Sequence, residues 1–265
     1  MTGASKGIGR ATATALAEAG ARVMLSSRKQ DALHEAAATI DGETATFAAN
    51  AGEPNQAEAC VEATLDAFGA LDILVNNAAT GVWAMPSQSK LEDRRKMFEV
   101  NLQAPVDLAQ QALPGMRQRG RGWILNIGSD SARQPVVPYR DTPEAAHVIV
   151  AYGATKAALN RYSEGLAHEV AGDGVFVNAL APVSIVLTQE AARFVGHIAK
   201  SNPDMAEPME VMVEAALELV TERHIGQIAY SRALLHSVGR PVRSLDGSRV
   251  IGDAFLAADL ETLIP

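Results

Sequence analysis

TGASKGIG, residues 2–9, runs directly into RATATALAEAG, residues 10–20. The Ala and Leu spacing of the second segment predicts a helix, ended by Gly20. A glycine-rich turn that opens a helix is a phosphate cradle, because backbone N–H groups and the positive end of the dipole face the anion. The glycines allow the turn and the close approach of backbone to ligand. Such a turn alone is weak grounds for a fold, so the elements that follow decide the class.

Residues 21–27 (ARVMLSS) form an apolar run of the kind buried in parallel sheets. A helix over 30–40, a strand over 44–49 and a helix over 54–68 closed by Gly69 come next. Residues 71–75 (LDILV) and 123–127 (WILNI) read as strands around a helical stretch, 91–119, that Pro105 and Pro114 should kink or divide. The remaining elements are a helix over 152–170, a strand over 176–180, a helix over 209–222 and a last strand over 226–231. The helix after Pro208 places Val211, Met212, Ala215 and Leu219 on one face, and its methionines read as core filler. The segment 232–265 has no assignable element. Without repeats or a low-complexity linker, the chain reads as one domain over 1–265. Short strands alternating with helices imply an α/β, doubly wound parallel sheet with ligands at the carboxyl ends of its strands.

Composition narrows the function. The chain has 265 residues, 48% of them hydrophobic, and a net charge of -8, so nothing draws it globally to nucleic acid or to anionic membranes. Arg117, Arg119 and Arg121 cluster locally and read as a solvated helix end. One cysteine, Cys60, allows no internal disulfide and suggests a reducing, cytoplasmic setting. The six histidines lack metal-ligand spacing, no apolar run reaches membrane-span length, and the N-terminus lacks a signal-peptide layout.

The chemistry gathers around YGATK, residues 152–156. On a helix, Tyr152 and Lys156 lie one turn apart on the same face. A nearby ammonium favours the phenolate, so the pair is expected to shuttle a proton near neutral pH. A surface Tyr beside a solvated Lys would give the same spacing, and only the company of the motif sets that reading aside. Taken in order, TGASKGIG, NNAA at 76–79, Asn101, Ser129 and YGATK resemble the short-chain dehydrogenase/reductase family over nearly the whole chain.

The resemblance implies hydride transfer between a nicotinamide and a carbonyl or secondary alcohol. Gly3, Gly7 and Gly9 follow the family's spacing, and Ser5, Lys6 and Ile8 complete the loop that would hold the cofactor. Arg28 ends the strand facing the adenosine ribose, where a basic residue accommodates a 2′-phosphate; with Lys6 as a possible second cation this favours NADP over NAD. Asn50 and Ala51 would meet the adenine, although the family commonly has an acidic residue there. Asn77 and Ala78 would run beside the adenosine ribose, with Ala79 in place of the family's Gly. Pro182 and Thr188 would flank the nicotinamide, in a turn with Val183 where the family has Gly and one extra residue before Thr188. By resemblance Ser129 binds the carbonyl oxygen, Tyr152 gives the proton, Lys156 lowers the Tyr pKa and grips the ribose, and Asn101 relays protons through water. Ser131 competes with Ser129, since continued strand alternation would keep both on one face; Ser129 is preferred because it follows the strand directly.

A loop insertion over about 132–150, a lid over about 188–206 and an extension over about 232–265 depart from or elaborate the family plan. Phe194, Val195 and Ile198 in the lid suit an apolar substrate or the core. A 3-oxoacyl thioester reductase is the alternative activity, and a non-catalytic dinucleotide-binding sensor is the alternative class. A homo-oligomer, dimer or tetramer, is expected by resemblance. No metal site is expected.

One feature conflicts with this plan. A buried strand should precede the glycine turn, yet only Met1 and Thr2 precede Gly3. Four or five missing buried aliphatic residues remove on the order of 10 kcal/mol, against a total stability of about 5–15 kcal/mol. The chain is therefore expected to start inside a longer natural protein, through a mis-assigned start codon, unless another segment fills the slot. In-frame upstream codons for a short Val/Ile/Leu run would support this, and an immediate upstream stop codon would contradict it.

Overall fold

Helices and short apolar strands alternate as expected in a computed structural model that describes residues 1–133 and 147–260. Helix α1 (Gly7–Glu18) leads to β1 (Val23–Ser27), α2 (Gln30–Ala37), β2 (Thr44–Ala48) and α3 (Pro54–Phe68). Strand β3 (Ile73–Asn76) is followed by α4 (Leu91–Phe98), a π-helical turn (Glu99–Gln103), α5 (Ala104–Arg119) and β4 (Gly122–Ile127). Then come α6 (Val150–Glu169), β5 (Val175–Ala181), β6 (Ile185–Val186), α7 (Gln189–Ser201), β7 (Ala206–Glu207) and α8 (Met209–Thr221). Strand β8 (Ile228–Tyr230), α9 (Ser231–Val238) and the antiparallel pair β9 (Val242–Arg243) and β10 (Val250–Gly252) follow.

Strands β3, β4, β5 and β8 pair in parallel in that order, and β1 pairs in parallel with β2. Parallel neighbours need crossover helices, and these cover both faces. On one face Leu16, Leu25, Met212, Leu219 and Leu235 pack together; on the other Val61, Leu108, Met116 and Leu166 pack over Leu74, Ile124 and Val177.

The position of the absent first strand lies between β1 and β3, and only residues 1–2 reach it. Ser26 N–H donates to the Met1 carbonyl at 3.0 Å, and Thr2 N–H donates to the Val75 carbonyl at 3.1 Å. Thr2 and Ser26 form an isolated parallel bridge. Among the described residues no other segment enters this slot as a strand. The chain order runs outward in both directions from here, so the glycine turn leaves the sheet at its topological switch point, where open α/β sheets bind ligands.

Three expectations change in detail. The helical stretch 91–119 is divided by the π-helical turn, while Pro105 sits harmlessly in the first turn of α5 and Pro114 stays inside it. Residues 232–260 are part of the core: Leu235, Val242 and Ala254 are buried, and Arg240 binds Glu214 and Glu218 of α8 at 2.7 and 2.8 Å. Met212 is core filler, as expected, and Met209 packs against the same core while its other side lines the large cleft. Arg117 pairs with Glu169 and Asp173 at the surface, in keeping with a solvated helix end. The lid segment carries α7 and β7. Within the insertion, Pro135, Pro138 and Pro143 lie outside the described residues, as do the side chains of Phe194, Val195 and Ile198.

Candidate active site

Strand β4 stops at Ile127, and Gly128 N–H donates to the Leu180 carbonyl at 2.7 Å. The chain then folds into a 3-10 turn (Asp130–Ala132), so strand alternation does not continue and the two serines meet instead of lying side by side. Ser129 Oγ accepts from the Ser131 hydroxyl at 2.9 Å and from Ser131 N–H at 3.2 Å. With two donors aimed at it, the Ser129 hydroxyl has its own proton left to give, and Ser129 favours the ionised form of the neighbouring Tyr152 phenol. Gly153 makes the approach possible, because a Cβ there would lie 2.3 Å from the Ser131 carbonyl oxygen.

One turn along α6, Lys156 is buried and donates to the Ile127 carbonyl at 2.7 Å. Its Nζ lies 5.7 Å from the centroid of the Tyr152 ring. Burial pushes the phenol up to about 12, opposed by the Ser129 hydrogen bond, and pushes the ammonium down to about 8. The expected lowering of the phenol by its neighbour is not found: desolvation, which penalises the phenolate, sets the direction of the shift, and Ser129 rather than Lys156 opposes it. At neutral pH the pair is a protonated phenol above a lysine that gives up its proton easily.

Asn101 lies in the π-helical turn, a distortion that recurs at functional sites. Its Oδ1 accepts from Thr80 N–H at 2.8 Å, and its amide donates to the Thr80 carbonyl at 2.9 Å and to Thr155 Oγ1 at 3.0 Å. The side chain clasps the loop after NNAA to the helix that bears Tyr152 and Lys156.

These groups stand at one end of a cleft of about 1590 Å³. Every residue expected to bind cofactor lines it, from Gly3, Ser5, Lys6, Gly7, Ile8 and Gly9 through Arg28, Asn50, Ala51, Asn77 and Ala78 to Pro182 and Thr188, whereas Asn101 lies behind the wall. Gly3 and Gly7 take left-handed conformations, φ 63° and 58°, and a Cβ on Gly9 would lie 2.3 Å from the Gly3 carbonyl oxygen. Those glycines are required by geometry. The Asn77 amide braces the turn by donating to the carbonyls of Thr2 and Gly3 at 2.9 and 3.2 Å. Ala79 replaces glycine at little cost, since no described non-glycine residue has positive φ. Asn50 Oδ1 accepts from Gly52 N–H at 3.3 Å.

At the far end Arg28 is exposed and has no partner among the described residues, and beside it the Ser27 hydroxyl is buried without one. A guanidinium next to an orphaned hydroxyl, at the rim of a glycine-lined cradle, fits the anionic groups of a dinucleotide.

The sequence model described as short chain dehydrogenase matches residues 1–195. The chain belongs to the short-chain dehydrogenase family. The 3-oxoacyl-acyl-carrier-protein reductase of Vibrio cholerae is 34% identical over 182 residues, covering 69% of this chain and 70% of that protein. L-Sorbose reductase from Gluconobacter frateurii, solved with NADPH and L-sorbose, superimposes with a TM-score of 0.75 at 31% identity, covering 87% of this chain and 92% of that one. A 3-oxoacyl reductase from Agrobacterium tumefaciens C58 with NADP bound gives a TM-score of 0.75 at 32% identity, over 86% and 90%. This short-chain dehydrogenase is accordingly an oxidoreductase with a nicotinamide cofactor.

Several residues passed over in the sequence now carry weight in this short-chain dehydrogenase. Thr2 Oγ1 accepts from the N–H groups of Asn77 and Ala78, each at 3.0 Å, and so pins the NNAA turn. Glu207, fully buried, accepts from Val183 N–H at 3.1 Å and from Ser231 Oγ at 2.5 Å, with Arg232 Nε 3.7 Å away. It fixes the Pro182–Val183 turn from behind, although burial raises its pKa against those bonds. Trp83 lines the cleft next to Tyr152. Only the long-range fold brings these partners together, and no local spacing signals them.

Proposed function

We propose that the protein reduces a carbonyl compound, or oxidises the matching secondary alcohol, using NADP(H) in preference to NAD(H). The observation that carries this reading is the placing of Ser129, Tyr152 and the buried Lys156 in the wall of one cleft that Arg28 also lines. A bound nicotinamide supplies or accepts the hydride. Ser129 donates a hydrogen bond to the substrate oxygen and stabilises its developing negative charge. Tyr152, protonated at neutral pH, gives that oxygen its proton. Lys156 steadies the phenolate left behind and holds the ribose. Asn101 positions the helix and the neighbouring loop, and relays protons through water to Lys156.

A second reading, reduction of a 3-oxoacyl thioester, is favoured by the two reductases of that name among the similar proteins. The same serine, tyrosine and lysine would act on it. We also place the protein in the cytoplasm and expect it to pair its long helices, α5 and α6, with further copies; light scattering should then give a multiple of 27.9 kDa. The deciding experiment is calorimetric titration with NADPH and NADH, followed by a carbonyl screen. Tighter NADPH binding and oxidation of NADPH by a carbonyl compound support the proposal. Binding of neither cofactor contradicts it.

A further inference from the structure

Beside the reacting hydroxyls the cleft wall is aromatic. Trp83 lines the cleft with 45% of its surface exposed, and its ring centroid lies 6.0 Å from that of Tyr152, tilted by 58°. The loop that carries it is held at both ends. Asn101 grips Thr80 through both its N–H and its carbonyl, and Ala84 N–H donates to the Val148 carbonyl at 3.2 Å. Between these clamps Gly81 sits beside both rings, at a point from which a Cβ would make ordinary contacts of 3.6 Å with Tyr152 Cδ2 and 3.7 Å with the indole benzo edge.

A large apolar ring left open to water inside a cleft, on a braced loop, is how rigid binding walls are built. Ile149 and Met205 line the same cleft, and Met205 is 46% exposed. The charged side chain nearest in sequence to the reacting serine, Asp130, is paired with Arg133 at 2.8 Å.

We propose that Trp83 is the stacking wall of the substrate site, and that the substrate is an uncharged ketone or alcohol carrying a flat apolar ring next to the reacting carbon. This deepens the carbonyl-reductase reading and rests on it. Phenyl and cyclic groups offer the face that an indole edge and the Tyr152 ring can cover, whereas a polyhydroxylated chain would leave its hydroxyls against apolar groups.

The test compares acetophenone, 2-butanone and a polyhydroxy ketone in the wild type, Trp83→Ala and Trp83→Phe, with NADPH binding measured on each as a check of folding. The wild type should prefer acetophenone. In Trp83→Ala the ratio of kcat/KM for acetophenone over 2-butanone should fall about tenfold or more, mainly through KM, since ring stacking and burial at one contact are worth roughly that factor. Trp83→Phe should restore most of the ratio. An unchanged ratio in Trp83→Ala, or a wild type that prefers 2-butanone or the polyhydroxy ketone, overturns the proposal. Fluorescence separates this inference from the catalytic reading. The chain has two tryptophans, and Trp123 packs against Phe176 away from the cleft lining, so Trp123→Phe leaves Trp83 as the sole emitter. Saturable quenching by acetophenone supports the stacking wall even if no ketone is turned over, a result that would count against the catalytic reading alone. No quenching overturns it.

Discussion

Burial moves the two partners of the YGATK motif in opposite directions, and the pH response follows from that. Lys156 titrates at about 8 in the folded chain, below the roughly 10.4 of an unfolded lysine. Between those values the unfolded chain holds more protons, so this residue makes folding more favourable as pH rises across the window and withdraws that contribution as pH falls through about 8. The stability of wild type relative to Lys156→Met should therefore increase from pH 7.5 to 10.5, by up to about 3 kcal/mol at 1.36 kcal/mol per unit. Denaturant titrations of both proteins at each pH measure it, and parallel curves would refute the assignment. At the other end of the cleft, Arg28→Ala should weaken NADPH binding by roughly 10- to 100-fold, the worth of charge-assisted hydrogen bonds to a phosphate. NADH binding should change little. Equal loss for both cofactors in calorimetry would mean that Arg28 does not meet a 2′-phosphate.

At the scale of elements, the turn after β4 rests on α6 only because residue 153 has no side chain. Gly153→Ala would drive a Cβ into the Ser131 carbonyl. It should destabilise the protein by about 1–3 kcal/mol, as overpacking does, and lower kcat by displacing Ser129. Thermal unfolding together with kcat measures both, and a variant with unaltered kcat would show that the turn does not hold the serine. Much of this level was legible in advance. The apolar runs that became β1, β4 and β5, and the helix α3 closed by Gly69, follow from local patterning. The break after α4 was not legible, because a π-helical turn has no proline or glycine to announce it and Pro105 pointed nearby. The meeting of Ser129 with Ser131 was also hidden, since it depends on where β4 stops and on what α6 presents.

Across the whole molecule, the order of motifs was enough to infer a doubly wound sheet and a cleft, because NNAA and the serine follow the carboxyl ends of β3 and β4 while the glycine turn and YGATK lie at the starts of helices lining the same cleft. The role of residues 231–260 was beyond reach: Ser231 and Arg232 act on Glu207, and Arg240 on Glu214 and Glu218, through contacts that no local pattern encodes. Thr2 and Met1 stand in for a strand by two backbone bonds, one to β1 and one to β3, which is what aims the glycine turn into the cleft. All of this converges on one hydroxyl. The most direct test is the turnover of Tyr152→Phe with NADPH and a carbonyl substrate that the wild type reduces, with NADPH affinity measured alongside. Affinity should stay within a few-fold of wild type while kcat falls by about 10²- to 10⁴-fold, the usual worth of a positioned general acid. Full turnover in that variant would contradict the account.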